Sequence, residues 1–298
     1  MKILLIGAKG QLGLELKKVL PTIGEVIAIS RNELDLINLI ELDKKLNQLK
    51  PAIIVNASAY TAVDMAEDQK ELALLINSDV PGVLASYCFK NNAILIHYST
   101  DYIFDGEKNT PYLETDIPNP LSEYGLSKFS GEQKITISGC KHLILRTSWL
   151  FSSQGQNFLT TILKLAVEKD EIKVINDQWS STMSCSMLAK ATIVALDFCL
   201  RSFQKNNNAP WGIYNVCSND RLNWHSFAKK ILLQSEAHGM KLKLKSTNVI
   251  PIPTKDYFQK AKRPKFSQLS NIKFINTFDF DLSDSTLLLN SEISKLTH

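Results

Sequence analysis

Tyr124 and Lys128 stand four residues apart, and Thr100 precedes them in the same half of the chain. In a helix, positions i and i+4 share a face, so the phenol and the ammonium form one unit. A Lys⁺ beside a phenol favours the phenolate and is expected to lower the Tyr124 pKa. Such a phenol can donate a proton to a carbonyl oxygen at neutral pH. Near the N-terminus, Gly7-Ala8-Lys9-Gly10-Gln11-Leu12-Gly13 spells G-x-x-G-x-x-G between an apolar strand and a helix. Glycines there permit a tight turn and close approach of the backbone to a pyrophosphate, and the helix N-terminus adds free N–H groups. A nucleotide at that turn and a proton donor at Tyr124 together indicate hydride transfer to a ketone.

The second strand ends in Ile29-Ser30-Arg31-Asn32. An NAD site commonly has Asp or Glu there for the ribose 2′-OH. Arg31 can instead pair with a 2′-phosphate, which predicts NADPH, with NADH as the alternative; the plainer reading is a solvated loop arginine. Asp35 and Leu36 follow, where they could sit beside the adenine. Ala59, Tyr60 and Thr61 come after the third strand, at the carboxyl edge where doubly wound sheets bind ligands. Taken singly, Y-x-x-x-K could be surface decoration, Thr100 a cap and Trp149 core packing.

Those residues need a scaffold. Apolar strands are expected at 3–6, 25–29, 52–57, 93–97 and 142–146, with helices at 11–20, 39–49 and 67–89, the last interrupted near Pro81. Strands alternating with helices predict an α/β fold, a doubly wound parallel sheet of Rossmann type. After Trp149 the rhythm loosens: helices are expected at 158–168, 186–200 and 223–236, a strand at 212–217, a surface loop at 205–210, and an extended segment at Pro251 and Pro253. This half is assigned a second, smaller substrate-binding lobe. The division is 1–150, 173–200 and 240–258 for the dinucleotide-binding domain, and 151–172, 201–239 and 259–298 for the lobe.

The 298 residues, 44% hydrophobic and 21% charged, fit such a globular chain. A net charge of +4 without a basic block argues against a nucleic-acid partner. No apolar run reaches about 18 residues, and the run at 3–6 is too short for a signal peptide. No membrane association and a cytoplasmic location are therefore expected. Five scattered cysteines (Cys88, Cys140, Cys185, Cys199, Cys217) fit reduced thiols, and neither they nor the histidines show metal-ligand spacing.

Several longer strings are more specific than the glycine turn: Asn56-Ala57-Ser58-Ala59-Tyr60-Thr61-Ala62-Val63-Asp64, Ser99-Thr100-Asp101-Tyr102-Ile103-Phe104-Asp105-Gly106, Tyr124-Gly125-Leu126-Ser127-Lys128 with Gly131-Glu132, Arg146-Thr147-Ser148-Trp149 and Ala261-Lys262-Arg263-Pro264. Through them the chain resembles the extended short-chain dehydrogenase/reductase family, specifically its nucleotide-sugar reductases. The resemblance implies NADPH-dependent reduction of the C4 ketone of dTDP-4-dehydro-β-L-rhamnose to dTDP-L-rhamnose, a step toward polysaccharide. It makes Tyr124 the proton donor. Lys128 becomes its electrostatic partner and ribose ligand, and Thr100 the carbonyl ligand. Asp101 and Trp149 become sugar-nucleotide contacts. The cofactor contacts are Gly7, Gly10, Gln11, Leu12, Gly13, Ser30, Arg31, Asp35, Leu36, Ala59, Tyr60, Thr61, Tyr98, Tyr124 and Lys128.

Some members of that family use Mg²⁺ at dimer contacts through acidic residues of the first helix, where Glu15 stands. One carboxylate is far short of a six-oxygen site, so no metal ligand is assigned, and Mg²⁺ and a homodimer stay open. The family commonly reads D-Q-x-G-x-P-T where this chain has Asp177-Gln178-Trp179-Ser180-Ser181-Thr182-Met183, so a different local turn is expected. Two rival activities remain: a related nucleotide-sugar reductase or epimerase, and a non-catalytic NADP-binding regulatory subunit of the kind that partners methionine adenosyltransferase.

Overall fold

A computed structural model describes residues 1–31, 33–206, 208–282 and 284–297. The first half runs β1 (Lys2–Ile6), α1 (Gln11–Val19), β2 (Glu25–Ile29), α2 (Leu39–Leu49), β3 (Ile53–Asn56), α3 (Val63–Ala66), α4 (Lys70–Leu74), α5 (Val80–Lys90), β4 (Ile94–Thr100), α6 (Glu123–Ile137) and β5 (Lys141–Thr147). The second half adds β6 (Leu150–Phe151), α7 (Phe158–Glu168), β7 (Ile172–Ile175), β8 (Trp179–Ser180), β9 (Met183–Ser184), α8 (Cys185–Asn206), β10 (Gly212–Asn215), β11 (Leu222–Asn223), α9 (Trp224–Ala237), β12 (Val249–Ile252), α10 (Ile272–Phe278) and α11 (Ser285–Thr297).

Six strands form one parallel sheet in the order β2-β1-β3-β4-β5-β10. The chain reverses direction across the sheet between β1 and β3, so a crevice opens at their carboxyl ends. Alternating side chains of β1 feed two separate cores. Ile3 and Leu5 join α1, α8 and the C-terminal helices, whereas Leu4 and Ile6 pack with α2 and α5. That is why the strands read as unbroken apolar runs.

The interruption expected near Pro81 is a π turn at Leu75–Asp79 between α4 and α5. Proline lacks an N–H and its ring crowds the carbonyl four residues back, which here is Asn77. The turn carries that carbonyl against α6: a Cβ at Gly131 would lie 2.1 Å from Asn77 O, so only glycine fits. By length and composition the stretch Lys70–Lys90 could cross a membrane. Half of it is buried in the protein, however, and Val80, Leu84, Ala85 and Cys88 belong to the second core, as in a core helix.

The second half departs from the sequence reading in two places. Gly212–Asn215, assigned to the lobe, is the edge strand of the main sheet, paired with β5. Helix α8 continues to Asn206, so Lys205 is helical; Asn207 lies outside the described residues. The proline-marked segment is extended as expected: it is the strand β12, paired in parallel with β7 away from the main sheet. Among the described residues, the second half packs into the same core as the sheet. Phe227, Ile231 and Leu289 share one buried cluster with Ile3 and Leu5.

Candidate active site

The glycine turn lies at the crevice between β1 and β3. Gly7 has φ +80°, and a Cβ there would sit 2.7 Å from Ala57 C and Ser58 N. A Cβ on Gly13 would lie 2.1 Å from Gly7 O, so this glycine packs helix against turn and is not among the residues lining the two cavities of the cleft. Helix α1 starts after Gly10 with no side-chain cap, leaving its first N–H groups for a ligand. Leu12 is buried in the core, so its expected cofactor contact is limited to its edge on the cleft. Gln11 donates to Gln156 O (2.9 Å) and accepts from Asn157 Nδ2 (3.0 Å), tying the turn to the loop before α7.

Two cavities meet at Ser58, Ala59 and Thr61. The first, about 460 Å³, is lined by Gly7, Ser30, Arg31, Asp35, Leu36, Ala59, Tyr60 and Thr61. The second, about 490 Å³, is lined by Gly10, Gln11, Tyr98, Thr100, Asp101, Tyr124, Lys128 and Trp149. The sequence-predicted contacts thus fall into an outer and an inner end of one cleft. At the outer end, Glu33 Oε2 accepts from Ser30 N (2.9 Å) and Ser30 Oγ (2.8 Å), a carboxylate that sequence reading overlooked. Asn32 lies outside the described residues. Asn77 also went unnoticed. Its Oδ1 accepts from Tyr60 N (2.8 Å) and its Nδ2 donates to Tyr60 O (3.0 Å), fixing the loop that carries Ala59 to Thr61.

Ser122 caps α6 and accepts from Gly125 N (3.2 Å), starting the helix just before Tyr124. Tyr124 borders both the inner cavity and a third one of about 410 Å³ on the lobe side. Thr100 Oγ1 donates to Asp101 Oδ1 (3.2 Å) and accepts from Tyr102 N (3.2 Å). Burial pushes the Tyr124 phenol up to about 12, with the neighbouring Thr100 hydroxyl acting the other way. This corrects the expected lowering by Lys128. Lys128 Nζ donates to Tyr98 O (2.6 Å) and lies 3.3 Å from His97 Nε2. Burial lowers Lys128 itself to about 8, against a raising effect from Glu132. Tyr98 shares a hydrogen bond with Thr192 through its phenol (2.9 Å) and reaches Lys128 through its carbonyl.

Asp101 is buried, with Oδ2 accepting from Ser180 Oγ (3.0 Å) and Ser267 Oγ (2.5 Å). Burial raises it to about 6 despite these bonds. Ser180 lies in the divergent segment, where β8 pairs with β11. Trp149 takes φ +34° and stacks on Trp224 at 3.6 Å between ring centroids, with Phe158 4.6 Å from Trp224. This aromatic wall faces both inner cavities. Trp224 was not foreseen, since a tryptophan at a helix start reads as core. Two ion pairs from the motifs brace the site. Arg146 and Glu132 form a buried pair (Nη2 to Oε2, 2.7 Å), and Arg263 grips Asp64 through its two terminal nitrogens, Nη1 and Nη2 (2.8 and 2.7 Å).

The residues present fit a dinucleotide. Besides the cramped turn and the open helix terminus, Ser99 Oγ and Thr147 Oγ1 are buried at the inner cavity without a hydrogen-bond partner. Among the described residues, no three His, Cys, Asp or Glu side chains gather to hold a metal. Glu15 is paired with Lys18 (2.6 Å).

This fold and cleft are those of a dinucleotide-binding α/β oxidoreductase. Residues 1–297 match the family described as the RmlD substrate binding domain, and the chain belongs to that family. It is 38% identical over 284 residues to a dTDP-4-dehydrorhamnose reductase of Burkholderia thailandensis, covering 95% of each chain. The crystal structure of such a reductase from Clostridium acetobutylicum matches with a TM-score of 0.89 and 34% identity over the whole of both chains. Another, from Bacillus anthracis in complex with NADP, matches with a TM-score of 0.86 and 30% identity over 99% of each.

Proposed function

We propose that the protein reduces the C4 ketone of dTDP-4-dehydro-β-L-rhamnose to dTDP-L-rhamnose with NADPH. The observation that carries this reading is the convergence of Thr100, Tyr124 and Lys128 on one cavity that continues to the glycine turn. NADPH, when bound, supplies the hydride. Tyr124 Oη donates the proton to the C4 oxygen; its burial keeps it protonated near neutral pH, the state an acid needs. Thr100 Oγ1 holds the same oxygen and so stabilises charge that develops there. Lys128 holds the ribose hydroxyls from the cavity floor. Asp101 accepts a sugar hydroxyl, and Trp149 with Trp224 offers an apolar face to the deoxy sugar. The nucleotide end of the substrate occupies the lobe-side cavity bordered by Tyr257, Gln259 and Arg263. At the outer end, Arg31 selects the 2′-phosphate, and Ser30, Asp35 and Leu36 frame the adenosine.

Supplied with the dTDP-keto sugar, the protein should consume one NADPH per dTDP-L-rhamnose formed. An epimerase would return the hydride and show no net consumption. A regulatory subunit would bind NADP and turn over nothing.

A further inference from the structure

His97 lies behind the reacting residues, on β4, and is fully buried. On the neighbouring strand its register partner is Asn56, also buried. Asn56 Oδ1 accepts from Ser58 N (3.2 Å) and Ser58 Oγ (2.6 Å). A backbone N–H can only donate, so the amide orientation is fixed: oxygen toward Ser58, nitrogen toward His97. Asn56 Nδ2 is 3.2 Å from His97 Nδ1. That ring nitrogen must therefore accept, and a neutral imidazole then carries its proton on Nε2. Nε2 faces Lys128 Nζ at 3.3 Å. An ammonium has only donors, so Nε2–H and Lys128 NH₃⁺ oppose each other. A neutral amine has a lone pair that accepts the Nε2 proton while one of its own hydrogens goes to Tyr98 O.

We propose that Asn56 and His97 are positioning residues that lock one histidine tautomer and thereby favour the neutral, proton-accepting amine of Lys128 over its ammonium in the ligand-free protein. The other groups around Lys128 do not supply this effect. Glu132, one turn on along α6, favours the ammonium, but it is engaged by Arg146 of β5. Tyr124, one turn back, is protonated, and the Tyr98 phenol is directed to Thr192 on α8. Asn77 and Ser78, packed against α6 from the π turn, carry no charge. The lowered Lys128 pKa agrees in direction. Lys128 would then be free to take up a proton as ligands enter, instead of carrying a permanent charge. This consequence rests on the reading of Lys128 as part of the reacting set; the tautomer lock does not.

The test is NMR titration of the ligand-free protein labelled with [¹³Cε]lysine, the Lys128 signal being assigned by its loss in Lys128→Arg. Asn56→Asp replaces the donor facing His97 by an acceptor, moves the ring proton to Nδ1 and presents Nε2 as an acceptor to the ammonium. The Lys128 midpoint should rise by about one pH unit or more. His97→Gln can accept from Asn56 and donate toward Lys128, so its midpoint should stay close to wild type, whereas His97→Met should raise it. A midpoint unmoved in Asn56→Asp overturns the proposal. If Asn56→Asp does not fold, equal midpoints in His97→Gln and His97→Met overturn it. The titration needs no turnover, so failure to reduce the keto sugar refutes the proposed activity and leaves this result standing.

Discussion

The two ends of the cleft are built differently. At the inner end, Thr100, Asp101 and Lys128 are almost inaccessible, and their polar atoms meet partners from several elements: Ser180, Ser267, Tyr102 N, Tyr98 O and His97. At the outer end, Arg31, Asp35, Ala59 and Thr61 are exposed, and the hydroxyl of Ser30 is taken by Glu33. Buried polar groups are costly unless satisfied, so a site made of them is fixed by the fold around it. An exposed rim carries little of that constraint. On the proposed function, the inner end sets the chemistry and the outer end the choice of cofactor, at small cost to stability.

The hardest test of this contrast is Tyr124→Phe. It removes one hydroxyl from the inner end and should leave the melting curve in place while turnover falls about 10²–10⁴-fold. Near-normal turnover would break the assignment. The scaffold behind the inner end is tested by Glu132→Gln, which strips the charge opposite Arg146 in a pair whose side chains are 3% and 2% accessible. A loss of about 3–5 kcal/mol in urea unfolding is expected, because a buried guanidinium is left uncompensated. Replacing both partners by apolar residues should recover much of it.

The sequence carried unequal information about the two ends. The strands and the turn were legible because unbroken apolar runs and Gly7 with Gly13 leave few alternatives. Tyr124 and Lys128 were legible through helical spacing. Their electrostatic relation was not. Spacing places both on one face of α6, but it does not reveal that Lys128 Nζ meets the Tyr98 carbonyl and His97. Asn56, Asn77 and Trp224 come from separate strands, turns and helices, and their roles exist only once the sheet order is set. Segment 272–278 was missed because a short helix that shares a core leaves a weak periodic signal. Gly212–Asn215 was misplaced because its strand comes late in the chain, beyond several lobe elements.

Asp101 gives the inner end a pH signature. Its carboxyl is raised from 3.8 to about 6, so the folded protein retains a proton that the unfolded chain releases. Stability gained by holding that proton is present at the acid end and declines as pH rises from about 4 to 6, by roughly 3 kcal/mol at most. Asp101→Asn has no such proton to lose. Urea unfolding at pH 4 and pH 8 should show the variant gaining on the wild type at the higher pH. An unchanged difference would mean that Ser180, Ser267 and Thr100 satisfy the carboxylate fully.

The smallest expected effect belongs to the outer end. Arg31→Ala should lower the ratio of kcat/KM for NADPH over NADH by about 10–100-fold, the worth of one charge-assisted contact. Stability should change by less than about 0.5 kcal/mol, as is usual for an exposed side chain. Glu33 makes the direction of the change informative. It already accepts two hydrogen bonds from Ser30, and a carboxylate at this edge suits a ribose diol better than a phosphate. Removing Arg31 should therefore unmask activity with NADH as well as weaken NADPH. Glu33→Gln should pull the ratio back toward NADPH. If Arg31→Ala leaves the ratio where it was, the guanidinium is only a solvated side chain and the 2′-phosphate is read elsewhere along the rim.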